Sequence, residues 1–559
     1  MRGGRTSIFE PATDETIRAL IEDFAAAAYR AREAGVDGVE VHAAHGYAIA
    51  GFLSPAWNER SDEWGGSPER RARLLRETLQ AIRARVGPDY PVWCRLDAVE
   101  FRVAGGIALE EALRTARIAE EAGADAIHVS AYSDGSSGIG FTDAPLVHAE
   151  EGYVAFARAM KRAVSIPVIG VGRIEVERAE QLVDEGAMDF VAMGRKLLAD
   201  PELPAKLAAE RRHAIRPCIY CYRCVGEVSQ GRGLFCGVHP FTARELEYAS
   251  SSPDATQDRA RAPSLPRAAR RRRVLVVGGG IAGLETARLA ALRGHDVILA
   301  ERRNRLGDGS EDAPEPDRPI ARLSRWLRDE VAAQGVDVRL ETAVDVAFVK
   351  HLAPEVVVLA VGGRAAELDV PIEASAVVLP LHALRTEARL PSGIGSAVVL
   401  GSGARTLSIA EQIAHRGDRV LVLEAGATPA LELALPLRWR RLHELRERGI
   451  EIVSGAVVVA VKARSLEYRA ADGTVQRTAA DLVVLDRTTG DFAGLEGLEA
   501  LGIELHTVGD CAGGTNGSAC ATDPQAMRVV GVAVSPMSPR SSSRAAMGCR
   551  REKASSAKT

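Results

Sequence analysis

Val39-Glu-Val-His42-Ala-Ala-His45-Gly-Tyr47 is a short strand with two unlike sides, running into a loop that bears an imidazole and a phenol. Successive strand residues point to opposite faces, so Val39 and Val41 share one side while Glu40 and His42 share the other. The same parity recurs downstream: Val92, Cys94 and Leu96 oppose Trp93, Arg95 and Asp97, and Ile127 and Val129 oppose His128 and Ser130. Strands are expected at 38–42, 92–97, 126–131, 168–172 and 190–194, with helical stretches at 15–35, 68–86, 109–123 and 175–186. Such alternation gives parallel βαβ units, the apolar side of the sheet meeting the helices. Polar groups collected near strand C-termini fit the active end of a βα-barrel, although an open doubly wound sheet shares the alternation. A closed barrel has eight strands and five are visible here, so the α/β fold expected is a partial (βα)8 TIM barrel.

The composition sets the frame for that reading. With 559 residues, 46% hydrophobic and 26% charged, the chain is long enough for several ordinary cores. Its 71 Lys and Arg against 75 Asp and Glu leave a formal charge of −4, with no general field toward nucleic acid or membrane. The start, Met1-Arg-Gly-Gly-Arg-Thr-Ser7, lacks the apolar stretch of a secretory signal, and no uncharged apolar run approaches membrane-spanning length. The eight cysteines are too few for a disulfide scaffold. The expectation is a cytoplasmic, multi-domain redox protein.

The C-terminal half contains an internal echo. Val274-Leu-Val-Val-Gly278-Gly-Gly280-Ile-Ala-Gly283 and Val398-Val-Leu-Gly401-Ser-Gly403-Ala-Arg-Thr406 are each followed by a helix and a second strand that ends in an acid, Glu301 or Glu424. In both copies the acid stands 23 residues beyond the first glycine. The spacing predicts two Rossmann-like units: glycines admit a pyrophosphate to the helix N-terminus, and the acid accepts from a ribose hydroxyl. In the second copy Thr406 replaces the third glycine, which leaves open a structural unit without nucleotide. If nucleotide binds there, Glu424 favours NADH over NADPH, because an acid repels a 2′-phosphate, and Arg405 works against that preference.

Two further groups carry chemistry. Cys218-x2-Cys221-x2-Cys224-x11-Cys236 places three thiols close together and one apart, which suits a cubane iron–sulfur cluster better than the paired ligands of structural zinc. His42 and His45 can hold a substrate carbonyl oxygen while Tyr47 delivers a proton to carbon; bare loop residues are the alternative. Gly172-Arg173 and Gly194-Arg195 end the last two strands, where backbone N–H groups and an arginine would bind phosphate. Arg95 points inward, either toward a flavin ring or toward a neighbouring carboxylate.

Phe52-Leu-Ser-Pro-x-x-Asn58-x-Arg60-x-Asp62-x-x-Gly65-Gly-Ser67 joins these motifs, as do Pro167-Val-Ile-Gly-Val-Gly-Arg173, Arg216-Pro-Cys218-Ile-x-Cys221 and Gly509-Asp510. Together they resemble the old yellow enzyme class, more narrowly its bacterial 2,4-dienoyl-CoA reductase and trimethylamine dehydrogenase branch. The resemblance implies FMN in a barrel, a [4Fe-4S] cluster, and FAD with NAD(P)H in Rossmann-like domains. The organisation it implies is an N-terminally incomplete FMN-binding barrel (1–210), a cluster segment (211–248) and a linker (249–272). An FAD-binding domain in two parts (273–375 and 489–534) would then enclose an NAD(P)-binding domain (376–488), before a disordered tail (535–559).

The resemblance also implies roles. Tyr47 would be the proton donor, with His45 and His42 orienting the substrate oxygen. Arg95 would meet the FMN ring, while Gly172, Arg173, Gly194 and Arg195 would hold its phosphate. Cys218, Cys221, Cys224 and Cys236 would bind the cluster. Gly278, Gly280, Gly283, Glu301 and Asp510 would serve FAD, and Gly401, Gly403 and Glu424 the nicotinamide nucleotide, NADH being favoured. The activity implied is reduction of an activated C=C bond in an enone, enoate or dienoyl-CoA, by a protein free or self-associated, with no nucleic-acid or membrane partner. A second reading is an amine dehydrogenase that passes electrons to an acceptor flavoprotein, and His42, where such enzymes tend to carry tyrosine, argues against it. A third is a truncated, non-catalytic remnant that keeps only FAD and NAD binding, because the first three strands of the family barrel have no counterpart here.

Overall fold

The computed structural model describes residues 11–133, 149–245, 265, 267–307, 318–365, 368–384, 390–431, 433–486 and 488–512. The expected disordered tail and most of the linker lie outside the described residues.

Five strands form the first sheet: β1 (Val39–Ala43), β2 (Val92–Phe101), β3 (Ala126–Ser133), β4 (Val168–Gly170) and β5 (Phe190–Val191). They pair in sequence order, every pairing parallel. The apolar residues Val41, Cys94, Leu96, Ile127 and Val129 are buried against Ile17, Ile21, Leu75, Leu79 and Ile82 of the flanking helices Asp14–Glu33 and Arg73–Val86. Register puts the polar face in order: His42 is opposite Arg95, Arg95 opposite His128, and Asp97 opposite Ser130. Parallel, in-register pairing therefore converts the sequence parity into a polar row on the inner face. The strands agree with those expected, except that β2 and β3 run further and β4 and β5 stop sooner. The helical stretch at 68–86 is divided, a short turn Pro68–Arg71 preceding Arg73–Val86.

The second half opens with β6 (Arg273–Val277), β7 (Asp296–Ala300), β8 (Asp337–Arg339) and β9 (Val356–Leu359), then the short β10 (Gly363–Ala365). It continues through β11 (Val378–Pro380), β12 (Ser396–Leu400), β13 (Arg419–Glu424) and β14 (Glu451–Ser454). Next come β15 (Val457–Lys462), β16 (Ser465–Arg469) and β17 (Val475–Ala479), followed by β18 (Leu482–Leu485), β19 (Thr488–Gly490) and β20 (Glu504–Thr507). One parallel sheet has the order β20-β9-β6-β7-β8, another β11-β18-β12-β13-β14. In each, the glycine-motif strand sits centrally, where the winding direction changes, which is where a doubly wound sheet binds its ligand. Strand β20 lies beyond the second unit in sequence yet pairs with β9 of the first, so the chain leaves the first sheet and returns to it. The antiparallel meander β15-β16-β17 packs on the second sheet through Val461, Leu466 and Tyr468.

Candidate active site

The inner-face row and the loop after β1 build one site. The rings of His42 and His45 lie 5.0 Å apart edge to face, and the Tyr47 ring is 5.0 Å from that of His42. Tyr47 heads the helix Ala48–Leu53 and is 61% exposed, so its phenol can exchange protons with water. His45 Nε2 lies 2.6 Å from Ser130 Oγ, and Arg95 Nη2 donates to the same oxygen at 3.3 Å. Arg95 thus meets a hydroxyl where a carboxylate partner was the alternative. Burial, with Arg95 beside it, pushes the His45 imidazole down to about 3, so it is neutral at physiological pH. His42 is also lowered, by burial and then by Arg95.

Several buried polar atoms on this face have no hydrogen-bond partner among the described residues: His42 Nδ1, Arg95 Nε and His128 Nε2. Buried polar groups are ordinarily satisfied, so unmet atoms on one face fit a polar heterocycle laid against them. At the far end of the sheet Gly172 takes φ +120° and Arg173 φ +50°. Gly194 begins the helix Gly194–Ala199, and Arg195 keeps one buried N–H group unmet among the described residues. The Arg173 guanidinium stacks 4.3 Å over Tyr220, and Arg195 lies 4.5 Å over Tyr222. The two arginines expected at a phosphate therefore rest on aromatic rings from the cysteine loop, a contact that leaves no mark in the residue pattern.

That loop carries Cys218, Cys221, Cys224 and Cys236. Among the described residues no three His, Cys, Asp or Glu side chains are arranged to hold a metal ion. The donors nevertheless suit iron–sulfur ligation. Tyr220 N–H donates to Cys218 Sγ at 3.4 Å, Val238 and His239 N–H groups face Cys236, and a Cβ on Gly237 would come within 2.9 Å of Cys221 Sγ. Backbone N–H groups aimed at sulfur, and a glycine yielding to it, are what a thiolate-bound cluster uses. Burial pushes the Cys218 thiol up to about 11, against the pull of Arg195 and Lys196.

The first glycine motif is formed as its spacing implies. Gly278 has φ +106° and lies against the Ala360 carbonyl, while a Cβ on Gly283 would stand 1.9 Å from the Gly278 carbonyl oxygen. A Cβ on Gly280 would meet nothing within 4 Å, which leaves room above the helix Ile281–Leu292. Glu301 accepts from the backbone N–H groups of Gly279 at 2.7 Å and Arg303 at 2.9 Å, so the acid also shapes the loop. Asp510 arrives on the turn Gly509–Ala512, where a Cβ on Gly509 would lie 2.9 Å from Ala282. In the second copy Gly401 has φ +98°, Gly403 precedes the helix Ala404–His415, and Glu424 ends β13. The Ser402 hydroxyl donates to Glu424 at 2.5 Å, and buried Thr406 donates to Asp486.

Two doubly wound sheets with glycine-loop helices, behind a parallel βα sheet bearing this polar face, define a pyridine-nucleotide-linked flavin oxidoreductase. Residues 7–214 match the NADH:flavin oxidoreductase / NADH oxidase family, and residues 250–352 and 348–512 match pyridine nucleotide-disulphide oxidoreductases. The chain is 35% identical over 518 residues to an NADH oxidase of Thermoanaerobacter brockii, covering 89% of this chain and 75% of that protein. It is 31% identical over 436 residues to a cinnamate reductase of Clostridium sporogenes, covering 74% and 62% respectively. A 2-naphthoyl-CoA reductase complex superposes with a TM-score of 0.82 at 28% identity, over 94% of this chain and 77% of that one. A histamine dehydrogenase from Rhizobium shares the fold, with a TM-score of 0.81 at 23% identity over 98% and 80%. The chain belongs to the NADH:flavin oxidoreductase / NADH oxidase family. FMN and FAD/NAD-type cofactors go with its two matched regions. No helix among the described residues is long and apolar enough to cross a membrane.

Proposed function

We propose that the protein is an NADH-dependent ene-reductase acting on an unsaturated carbonyl or acyl-CoA compound in the cytoplasm. The observation that carries this reading is the convergence of His42, His45 and Tyr47, with His45 held neutral by burial. A neutral imidazole donates an N–H hydrogen bond to the carbonyl oxygen without surrendering the proton. That bond stabilises the negative charge gathering on oxygen as the β-carbon is attacked. Arg95 would lie against FMN, and Gly172, Arg173, Gly194 and Arg195 would hold its phosphate; when bound, FMN would supply hydride chemistry toward the β-carbon. Tyr47 gives its phenolic proton to the α-carbon and is reprotonated from water. Glu301 and Asp510 would hold FAD at the first glycine loop and Glu424 would orient NADH at the second, NADH and a proton balancing the overall reduction.

Cys218, Cys221, Cys224 and Cys236 would hold a [4Fe-4S] cluster, which when bound would supply single-electron transfer between the two flavins. The N–H groups at Cys218 and Cys236 support that assignment by favouring charge on sulfur.

An amine dehydrogenase reading is kept by relatives that include the N,N-dimethylglycine/sarcosine dehydrogenase of Chromohalobacter salexigens, 35% identical over 367 residues. Anaerobic rapid mixing separates the two. NADH should bleach the flavin absorbance and cinnamate should restore it; bleaching by dimethylglycine and not by NADH would overturn the ene-reductase reading. Y47F should slow the cinnamate-dependent step by about 100-fold or more, while flavin reduction by NADH stays as in the wild type.

A further inference from the structure

His45 is a non-glycine residue held at φ +63°, a backbone conformation that an L side chain disfavours. Such a conformation persists only where its surroundings enforce it. The enforcing group is on the neighbouring strand. Asp97 Oδ2, from β2, accepts the His45 backbone N–H at 2.5 Å. The Asp97 side chain is fully buried, and its second oxygen, Oδ1, has no hydrogen-bond partner among the described residues and lies 3.8 Å from His45 Nε2. A buried carboxyl with one oxygen unmet is costly to keep, so its one strong bond has a structural purpose. Ser130, opposite Asp97 in the β2–β3 register, completes the hold by taking His45 Nε2 at 2.6 Å.

We infer that Asp97 and Ser130 are a positioning pair: Asp97 clamps the His45 backbone in its left-handed turn, and Ser130 fixes the imidazole ring that faces the substrate oxygen. The inference deepens the ene-reductase reading and rests on it for the identity of the substrate oxygen. The clamp itself is a property of the fold. A second carboxylate on β2 does similar work one loop away, since Glu100 accepts from Ser54 Oγ at 2.5 Å and from Ile107 N–H at 2.9 Å. Strand β2 thus reaches under two loops at the rim of the site.

The test compares D97N, whose amide oxygen still accepts the N–H, with D97A and the shorter D97S, which cannot reach it. Hydrogen–deuterium exchange of the full-length protein is followed on the peptide spanning residues 43–49. D97A and D97S should exchange there about tenfold faster than wild type, the loss of one buried hydrogen bond, with D97N within about threefold. For cinnamate reduction, D97A and D97S should lose at least tenfold in kcat/KM, with flavin reduction by NADH unchanged and D97N retaining most activity. Unchanged exchange in both short variants, or D97N as damaged as they are, would overturn the clamp. Wild-type protein that is reduced by NADH but does not turn over cinnamate would instead remove the ene-reductase reading, and the exchange data would still decide the clamp.

Discussion

Asp97 and His45 touch, yet burial shifts them in opposite senses along the pH scale. Burial raises Asp97 to about 7, and Arg95 and the His45 N–H only partly oppose this. Its folded value lies above its ordinary 3.8, so the stability it contributes is complete below about pH 4 and is lost as pH rises through 7. For His45 the folded value lies below its ordinary 6.5, so its contribution is present above that pH and is lost as pH falls toward 3. The charged and titratable groups acting on Asp97 are Arg95 and Glu100 on β2, His45 on the loop after β1, and Tyr153 at the helix Val154–Ala163. Urea unfolding at pH 5 and pH 8 should show wild type losing up to about 3 kcal/mol relative to D97N over that interval. Equal pH dependence in the two proteins would show that Asp97 is not perturbed in this way. At this scale the sequence was informative about His42, His45, Tyr47 and Arg95, because strand alternation and loop position follow directly from residue order. Asp97 and Ser130 were visible only as inward-facing residues, since their bonds depend on the β2–β3 register and on a loop conformation that alternation does not encode.

The strand–turn–helix of the first nucleotide unit was the most legible element, because each of its glycines answers a separate steric demand. The 1.9 Å approach of a Cβ on Gly283 to the Gly278 carbonyl is with backbone, which has no room to yield. G283A should therefore displace the helix Ile281–Leu292 from β6, and purified variant should contain less than about a tenth of the wild-type FAD while retaining FMN. Flavin extraction and chromatography give the ratio; full FAD occupancy would contradict it. What the motif did not reveal is that the same helix is buried nearly all round, with Glu285 and Arg288 inside the protein. Glu285 binds Arg288 through two contacts of 2.8 Å and lies 3.5 Å from Arg216 of the cysteine segment. The meander β15–β17 went unread as well. Its short strands follow β14 without a helix between them, so it lacks the βα alternation by which the other strands were found.

Across the whole molecule, motifs and a linker suggest modules in the sequence, but the joints between them leave no such mark. Contacts on two sides hold the cysteine segment. Arg216 stacks 4.3 Å over Trp326 of the helix Arg318–Ala333, tying the segment to the first nucleotide unit beside the Glu285–Arg288 pair. Glu175, just before the helix Val176–Asp184, accepts from Tyr220 at 2.7 Å and pairs with Arg322 at 3.1 Å, which brings the βα sheet to the same place. These are long-range contacts between single residues with no periodic trace in sequence. They place the thiols between the two halves of the chain, where the proposed electron path would need them.

The most direct measurement of that path is the isotopic content of the product made from unlabelled NADH and cinnamate in deuterium oxide. If electrons cross one at a time through the cysteine segment, the hydrogen of NADH is left behind, and the saturated acid should carry solvent deuterium at both its α- and β-carbons. Deuterium at the α-carbon alone, with the NADH hydrogen at the β-carbon, would mean that hydride passes directly to the reducing flavin and that the thiols carry no electrons between the halves.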